Sequence, residues 1–217
     1  SGQVDPYDER YYRTWMHELP PMRHIFRGTS LDVHHTILPP TSKLKIDPAK
    51  LVEASIEIPG NSRIRVLSPC DMVLHSATHL FHEGEADNLL RDLSDLDLLL
   101  RHFSEEADFW PRLLQRAQTL DLLWPLGLAC RYTSVVLGTR IPSSILSEPD
   151  FDQERGLVVK LRDAMYRRVL RPQHSSTEDA GSAWARKMLY VRAHWLRMPL
   201  HLLAYHLAHK LYFPPEA

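Results

Sequence analysis

Leu67-Ser68-Pro69-Cys70-Asp71-Met72-Val73-Leu74-His75-Ser76-Ala77-Thr78-His79-Leu80 is the stretch on which the fold turns. Ahead of it, Ser55 to Ile58 and Arg63 to Leu67 follow the two-residue period of strands. Within it the apolar positions recur every three or four residues, the spacing of one helix face. Ser68 can accept from an unpaired amide of a first turn, and Pro69 has no amide to lose there. A helix is therefore predicted from Pro69 to about His82, ended by Gly84. Val73, Ala77, Leu80 and Phe81 make its apolar side.

Beyond this helix the same period continues. A second helix is predicted from Ala86 to Phe103, with Leu89, Leu93, Leu96, Leu100 and Phe103 as its buried stripe. Others are expected at Asp108 to Thr119, Leu122 to Leu137 and Gln153 to Leu170, with one turn at Ile141 to Ile145. Arg171 to Gly181 reads as a polar linker. Ser182 to Arg197 and Pro199 to Leu211 follow, divided because proline ends the preceding helix.

On the other side of Leu67 lie turns and short strands. Pro59-Gly60-Asn61 is the tip of a hairpin joining Ser55–Ile58 to Arg63–Leu67. A Lys-rich connection over 41–54 carries one helical turn from Pro48. Arg23 to Arg27 pairs antiparallel with Gly28 to Leu38, and Asp8 to Glu18 is a short aromatic helix. The expected fold is α+β and predominantly α-helical: a small antiparallel β unit over about 22–67, then a helical bundle over about 68–212. The corresponding domains are 1–67 and 68–217.

A chain of 217 residues can bury a sizeable core, and its hydrophobic and charged fractions, 44% and 24%, are those of ordinary globular proteins. The net charge of -1 argues against a chain built as a whole to hold polyanions. Residues 1–154 carry 15 Lys+Arg and 23 Asp+Glu, hence -8, whereas 155–217 carry 11 and 4, hence +7. The basic part faces an anionic partner or the acidic part of the chain. Cys70 and Cys130 stand apart in apolar, helical context and read as free thiols in a reducing compartment. No signal peptide opens the sequence, and the apolar run from Met198 is interrupted by Pro199, His201, His206, His209 and Lys210, so no membrane span is expected. A cytoplasmic location follows. The polar start Ser1-Gly2-Gln3 is unlike a native initiation, and the chain is expected to be the later part of a longer one. Phosphate-binding glycine loops and GxSxG elbows are absent.

The chemistry concentrates in Gly28-Thr29-Ser30-Leu31-Asp32-Val33-His34-His35-Thr36-Ile37-Leu38. Read as a strand, it puts Leu31, Val33, His35 and Ile37 on one face and Asp32, His34, Thr36 and Leu38 on the other. A carboxylate and an imidazole then sit side by side on a rigid element. Asp32 and His34 are the leading candidate residues. The secondary candidates lie on the helix after Pro69, where His75, His79 and His82 fall within about 60° on a wheel of 3.6 residues per turn. His75 and His79 at i,i+4 can share a metal, but Ser76 stands where a zincin has its glutamate. Asp95-Leu96-Asp97 cannot be a DxD metal pair, because i and i+2 diverge on a helix. Asp97 reads as a solvated charge, and Asp95 as a partner for His79 across antiparallel helices. Basic residues interleaved with Trp184, Tyr190 and Trp195 make a weak case for nucleic-acid contact.

Three segments in order resemble a bacterial family of uncharacterised nucleotidyltransferases of the polymerase-β superfamily. They are Leu31-Asp32-Val33-His34-His35, the Leu67–Leu80 stretch, and Leu89-Leu90-Arg91-Asp92-Leu93-Ser94-Asp95-Leu96. Val191 to Pro199 also fits. The resemblance implies transfer of a nucleoside monophosphate from an NTP to an acceptor, with two Mg²⁺ ions held by three carboxylates. Asp32 matches the third carboxylate, and His34 would contact phosphate or orient Asp32. The Gly-Ser turn and DxD strand that supply the other two are not matched in residues 1–27, so the resemblance implies an active site incomplete in this chain. Whether the chain is an enzyme by itself is left open. Two other readings stand beside it: a non-catalytic helical module that binds protein or nucleic acid, and a metal-dependent hydrolase built on His75, His79, His82 and Asp95.

Overall fold

The computed structural model describes residues 17–19, 22–82, 88–151, 156–197, 199 and 201. The expected helix over Pro199 to Leu211 lies outside them except for Pro199 and His201, as does all of Asp8 to Glu18 except its last two residues.

The architecture is α+β and mostly helical, as the change of period at Leu67 predicts. Two short antiparallel pairs come first. β1 (Met22–Arg23) pairs with β2 (Ser30–Leu31), Met22 opposite Leu31. Gly28, at φ 67°, turns the chain between them. β3 (Ile56–Ile58) pairs with β4 (Asn61–Val66) around Pro59-Gly60, and Gly60 takes the φ of 83° that a proline-then-glycine turn requires. Cross-strand neighbours Glu57 and Arg65 form an ion pair at 3.1 Å on one face of this hairpin.

The single strand expected over Gly28 to Leu38 is much shorter. Only Ser30 and Leu31 join the hairpin. Leu31 is 60% exposed and Met22 48%, so no core rewards a longer apolar face. From Val33 the chain changes partner. The Leu19 amide donates to the Val33 carbonyl (2.8 Å), the His35 amide to the His17 carbonyl (3.0 Å), and Glu18 bridges His34 antiparallel. Glu18 is therefore extended rather than the end of a helix. Residues 35–38 bend toward the helical body, and Leu38, assigned by alternation to the same face as Asp32, is 3% exposed.

The segment after this bend is anchored to the body. The Thr41 hydroxyl donates to the Arg197 carbonyl (2.7 Å), the Lys43 amide donates to the Leu196 carbonyl (2.9 Å), and the Lys43 ammonium stands 2.9 Å from the centre of the Trp195 ring. α1 (Pro48–Glu53) is capped by Asp47, which accepts from the Ala49 amide, and it sends Leu51 into the main core.

The body begins with α2 (Pro69–His82), where Ser68 Oγ accepts from the Asp71 amide at 3.3 Å, the cap its sequence announced. α2 packs on α3 (Leu89–Phe103), α4 (Phe109–Thr119) and α5 (Leu123–Tyr132). Leu93, Leu96 and Leu100 of α3 are fully buried, as their spacing requires. α5 is apolar nearly all round and lies at the centre of the body. Pro125 is tolerated in its first turn, where amides lack intrahelical acceptors. The helix expected to continue to Leu137 widens into a π-helical turn over Thr133–Leu137, with the Thr133 hydroxyl donating to the Ala129 carbonyl at 2.7 Å. Gly138, at φ 70°, closes it. α6 (Ser143–Leu146) and a 3₁₀ turn (Pro149–Phe151) lead to α7 (Leu157–Val169) and α8 (Ala180–Arg197), which pack on each other. Asp179 opens α8, accepting from the Ser182 amide at 2.7 Å.

Among the described residues no helix is long and apolar enough to cross a membrane.

Candidate functional site

Two antiparallel segments build the site. Residues 17–19 and 33–35 are held by the backbone bonds above, which set His17, Glu18 and His34 together. His17 is buried (5% exposed), Glu18 is half-buried and His34 is exposed. His34 Nε2 lies 3.3 Å from Glu18 Oε2, and the His17 and His34 rings are 4.9 Å apart, tilted by 52°. One ligand atom from each of the three side chains falls within 4.8 Å of the others. Two imidazoles and a carboxylate converge on one point.

Asp32 lies two residues before His34 and directly after β2. It is exposed and makes no ion pair among the described residues. It is a carboxylate open to solvent, available to a ligand. The two-ion cage implied by the family resemblance needs three carboxylates. Among the described residues Asp32 belongs to no group of three ligand side chains, so those residues alone do not fit a pair of Mg²⁺ ions.

The histidines of α2 are dispersed by their environments. His75 is half-buried and His79 exposed, their ring centres 6.1 Å apart. His82 is 1% exposed and meets the Trp124 ring edge-on at 5.3 Å and 88°. The wheel put all three on one side; packing against α5 takes His82 into the core. Asp95 on α3 is exposed, and the ion pairs of the described residues include none between it and His79. No metal cluster forms from His75, His79, His82 and Asp95 among the described residues. Asp97 is not a solvated charge. Its side chain is 13% exposed, accepts from Arg101 Nε at 2.8 Å and takes the Thr139 hydroxyl at 2.5 Å, tying α3 to the end of the π-helical turn.

Sequence reasoning passed over His17 and Glu18. Their only signal is a His-Glu pair at the end of an aromatic run, and nothing in its spacing points to His34. It also passed over two carboxylates that organise the body. Asp71 receives both prongs of Arg116, and Asp163 gathers Arg131, Tyr132 and Arg162. Arg116 reaches Asp71, and Arg131 and Tyr132 reach Asp163, from other helices, where local pattern is silent; only Arg162 is a chain neighbour.

Comparison with known proteins bears on what these residues do. No curated protein and no solved structure matches the chain. The family model described as uncharacterised nucleotidyltransferase matches residues 1–138, a span that takes in the converging His17, Glu18 and His34, the exposed Asp32, and α2 through the π-helical turn. With more than half of its length matched, this chain belongs to the family of uncharacterised nucleotidyltransferases.

Proposed function

We propose that the chain supplies the third-carboxylate strand and helical body of an enzyme that transfers a nucleoside monophosphate from an NTP to an acceptor. Asp32 is the ligand for a divalent cation; His34, two residues on, has Glu18 and His17 as its neighbours. The Gly-Ser turn and DxD strand that would supply the remaining carboxylates are not matched in residues 1–27, so the chain by itself transfers little or nothing. Mg²⁺, when held, would neutralise the triphosphate oxygens. The basic C-terminal part faces the phosphates or a polyanionic acceptor.

The observation that carries this reading is the solvent-exposed Asp32 within a chain whose first 138 residues match the family. An aspartate buried under helices or locked to an arginine would have no access to a nucleotide.

Calorimetric titration with Mg-ATP, Mg-GTP, Mg-CTP and Mg-UTP tests it. At least one nucleotide is expected to bind, with binding lost on chelation of Mg²⁺ and weakened at least tenfold in Asp32→Asn. Absence of binding for all four, or binding indifferent to Asp32→Asn, overturns the proposal.

A further inference from the structure

We infer that His17, Glu18 and His34 form a site for one zinc-like divalent ion, separate from the Asp32 position and serving to fasten the strand that carries it. The donor set is two imidazole nitrogens and one carboxylate oxygen. That mixture suits a borderline ion such as Zn²⁺, which takes three protein ligands and leaves a coordination position open; Mg²⁺ prefers an all-oxygen shell.

The geometry is close to what such an ion needs. Bonds of about 2.0–2.2 Å in a tetrahedron place neighbouring ligand atoms roughly 3.3–3.5 Å apart. His34 Nε2 and Glu18 Oε2 already stand 3.3 Å apart, and all three ligand atoms lie within 4.8 Å. The adjustment falls on His34 and Glu18, whose side chains are 43% and 20% exposed and have room to rotate. His17 is the fixed member, 5% exposed and held by its carbonyl, which accepts from the His35 amide at 3.0 Å. Backbone bonds on both sides, Leu19 to Val33 and His35 to His17, keep the two ligand-bearing segments in register. The site is therefore built on paired backbone rather than on free loops.

A bound ion would join residues 17–18 to residue 34 and so restrict the short segment that holds Asp32. β2 contributes only two residues to its hairpin, which leaves that segment few other ties.

The test is metal binding by the whole chain with no nucleotide present, so it can fail without touching the transferase reading. Protein freed of metal by chelation is titrated with Zn²⁺ in competition with a chromophoric chelator, and melting is followed with and without the ion. Wild type is expected to take one Zn²⁺ per chain and to melt at higher temperature with it. His34→Ala and Glu18→Gln alter accessible side chains and are expected to fold; each should weaken binding at least about tenfold and lose the zinc-dependent rise in melting. Asp32→Asn and the double variant His75→Ala/His79→Ala should bind as wild type does. Lack of stoichiometric binding, binding unchanged in His34→Ala and Glu18→Gln, or binding lost in the His75/His79 variant overturns the assignment.

Discussion

Arg116 of α4 grips Asp71 of α2 with two parallel hydrogen bonds, Nε to Oδ1 at 2.7 Å and Nη2 to Oδ2 at 2.9 Å, and the Asp71 side chain is fully buried. The same Arg116 Nη2 reaches the Lys50 carbonyl at 2.8 Å. One guanidinium therefore joins α1, α2 and α4. Removing one partner strands a buried charge. Asp71→Ala should cost about 3–5 kcal/mol in urea denaturation, and Arg116→Met a comparable amount. Replacing both together should cost clearly less than the sum of the two. Strict additivity would mean that the pair does not act as a unit.

Asp163 on α7 gives the fold a dependence on acid. Burial pushes its carboxyl up, but hydrogen bonds from Arg131 and Tyr132 and the charges of Arg131 and Arg162 outweigh burial and hold it below the usual carboxylate range. The Tyr132 phenol is pushed up by burial and by Asp163, so it stays protonated and donating. A depressed carboxyl stabilises the folded state above the unfolded value of about 4 and loses that contribution as pH falls through its folded value. Asp163→Asn should therefore be less stable than wild type by about 1.5–3 kcal/mol at neutral pH. The difference should shrink when denaturation is repeated below about pH 4. A gap that stays constant or widens in acid would contradict this placement of the charge.

The two cysteines should separate cleanly in reactivity. Cys130 is fully buried in α5, and burial pushes its thiol up to about 12. Cys70 is half-buried at the start of α2, and burial raises its thiol as well, with Arg112 opposing. A thiol reagent at pH 8 should modify Cys70 slowly in native protein and reach Cys130 only as the chain unfolds. Rapid native labelling of Cys130 would show that the centre of the body opens on its own.

Asp32 offers a control on the functional reading. It is exposed and makes no ion pair among the described residues, so Asp32→Asn should change stability by no more than about 0.5 kcal/mol. Its expected effect on nucleotide binding would then be chemical. A variant that melts well below wild type would make Asp32 a structural residue and remove the basis for assigning it a ligand role.

The helical body was legible because its signals are local. Ser68-Pro69 announces a helix start, and leucines from Leu89 to Leu100 repeat at the helical period over three turns. The Pro59-Gly60 turn was legible for the same reason. The Asp32 segment was not, because a two-residue alternation over mostly polar side chains says little about where a strand stops. What ends it is competition: residues 17–19 take over pairing from Val33 onward. His34 was named from its neighbour Asp32, yet its actual company is His17 and Glu18, brought by that pairing. His82 shows the complementary failure. Its wheel position matched His79, but only tertiary packing decides that one imidazole is buried against Trp124 while the other is exposed.

Gly127 tests how tightly α5 is seated. In an isolated helix, glycine to alanine would gain about 1 kcal/mol. Here a Cβ on Gly127 would stand 2.6 Å from Phe151 Cβ, 2.7 Å from its Cγ and 3.0 Å from its Cα. Turning the Phe151 ring cannot relieve the contacts at Cβ and Cα, so the 3₁₀ turn that carries Phe151 must move away from α5. Overpacking of this kind costs about 1–3 kcal/mol, which meets or exceeds the propensity gain. Gly127→Ala should therefore be destabilised, by up to about 2 kcal/mol in urea denaturation. Phe151→Leu should not rescue it, because the offending Cβ and Cα remain, whereas Phe151→Gly in the Gly127→Ala background should remove the Cβ clash even as it loses the ring's burial. If Gly127→Ala instead proves more stable than wild type, the turn yields freely, and the close approach of Phe151 to α5 does not constrain the fold.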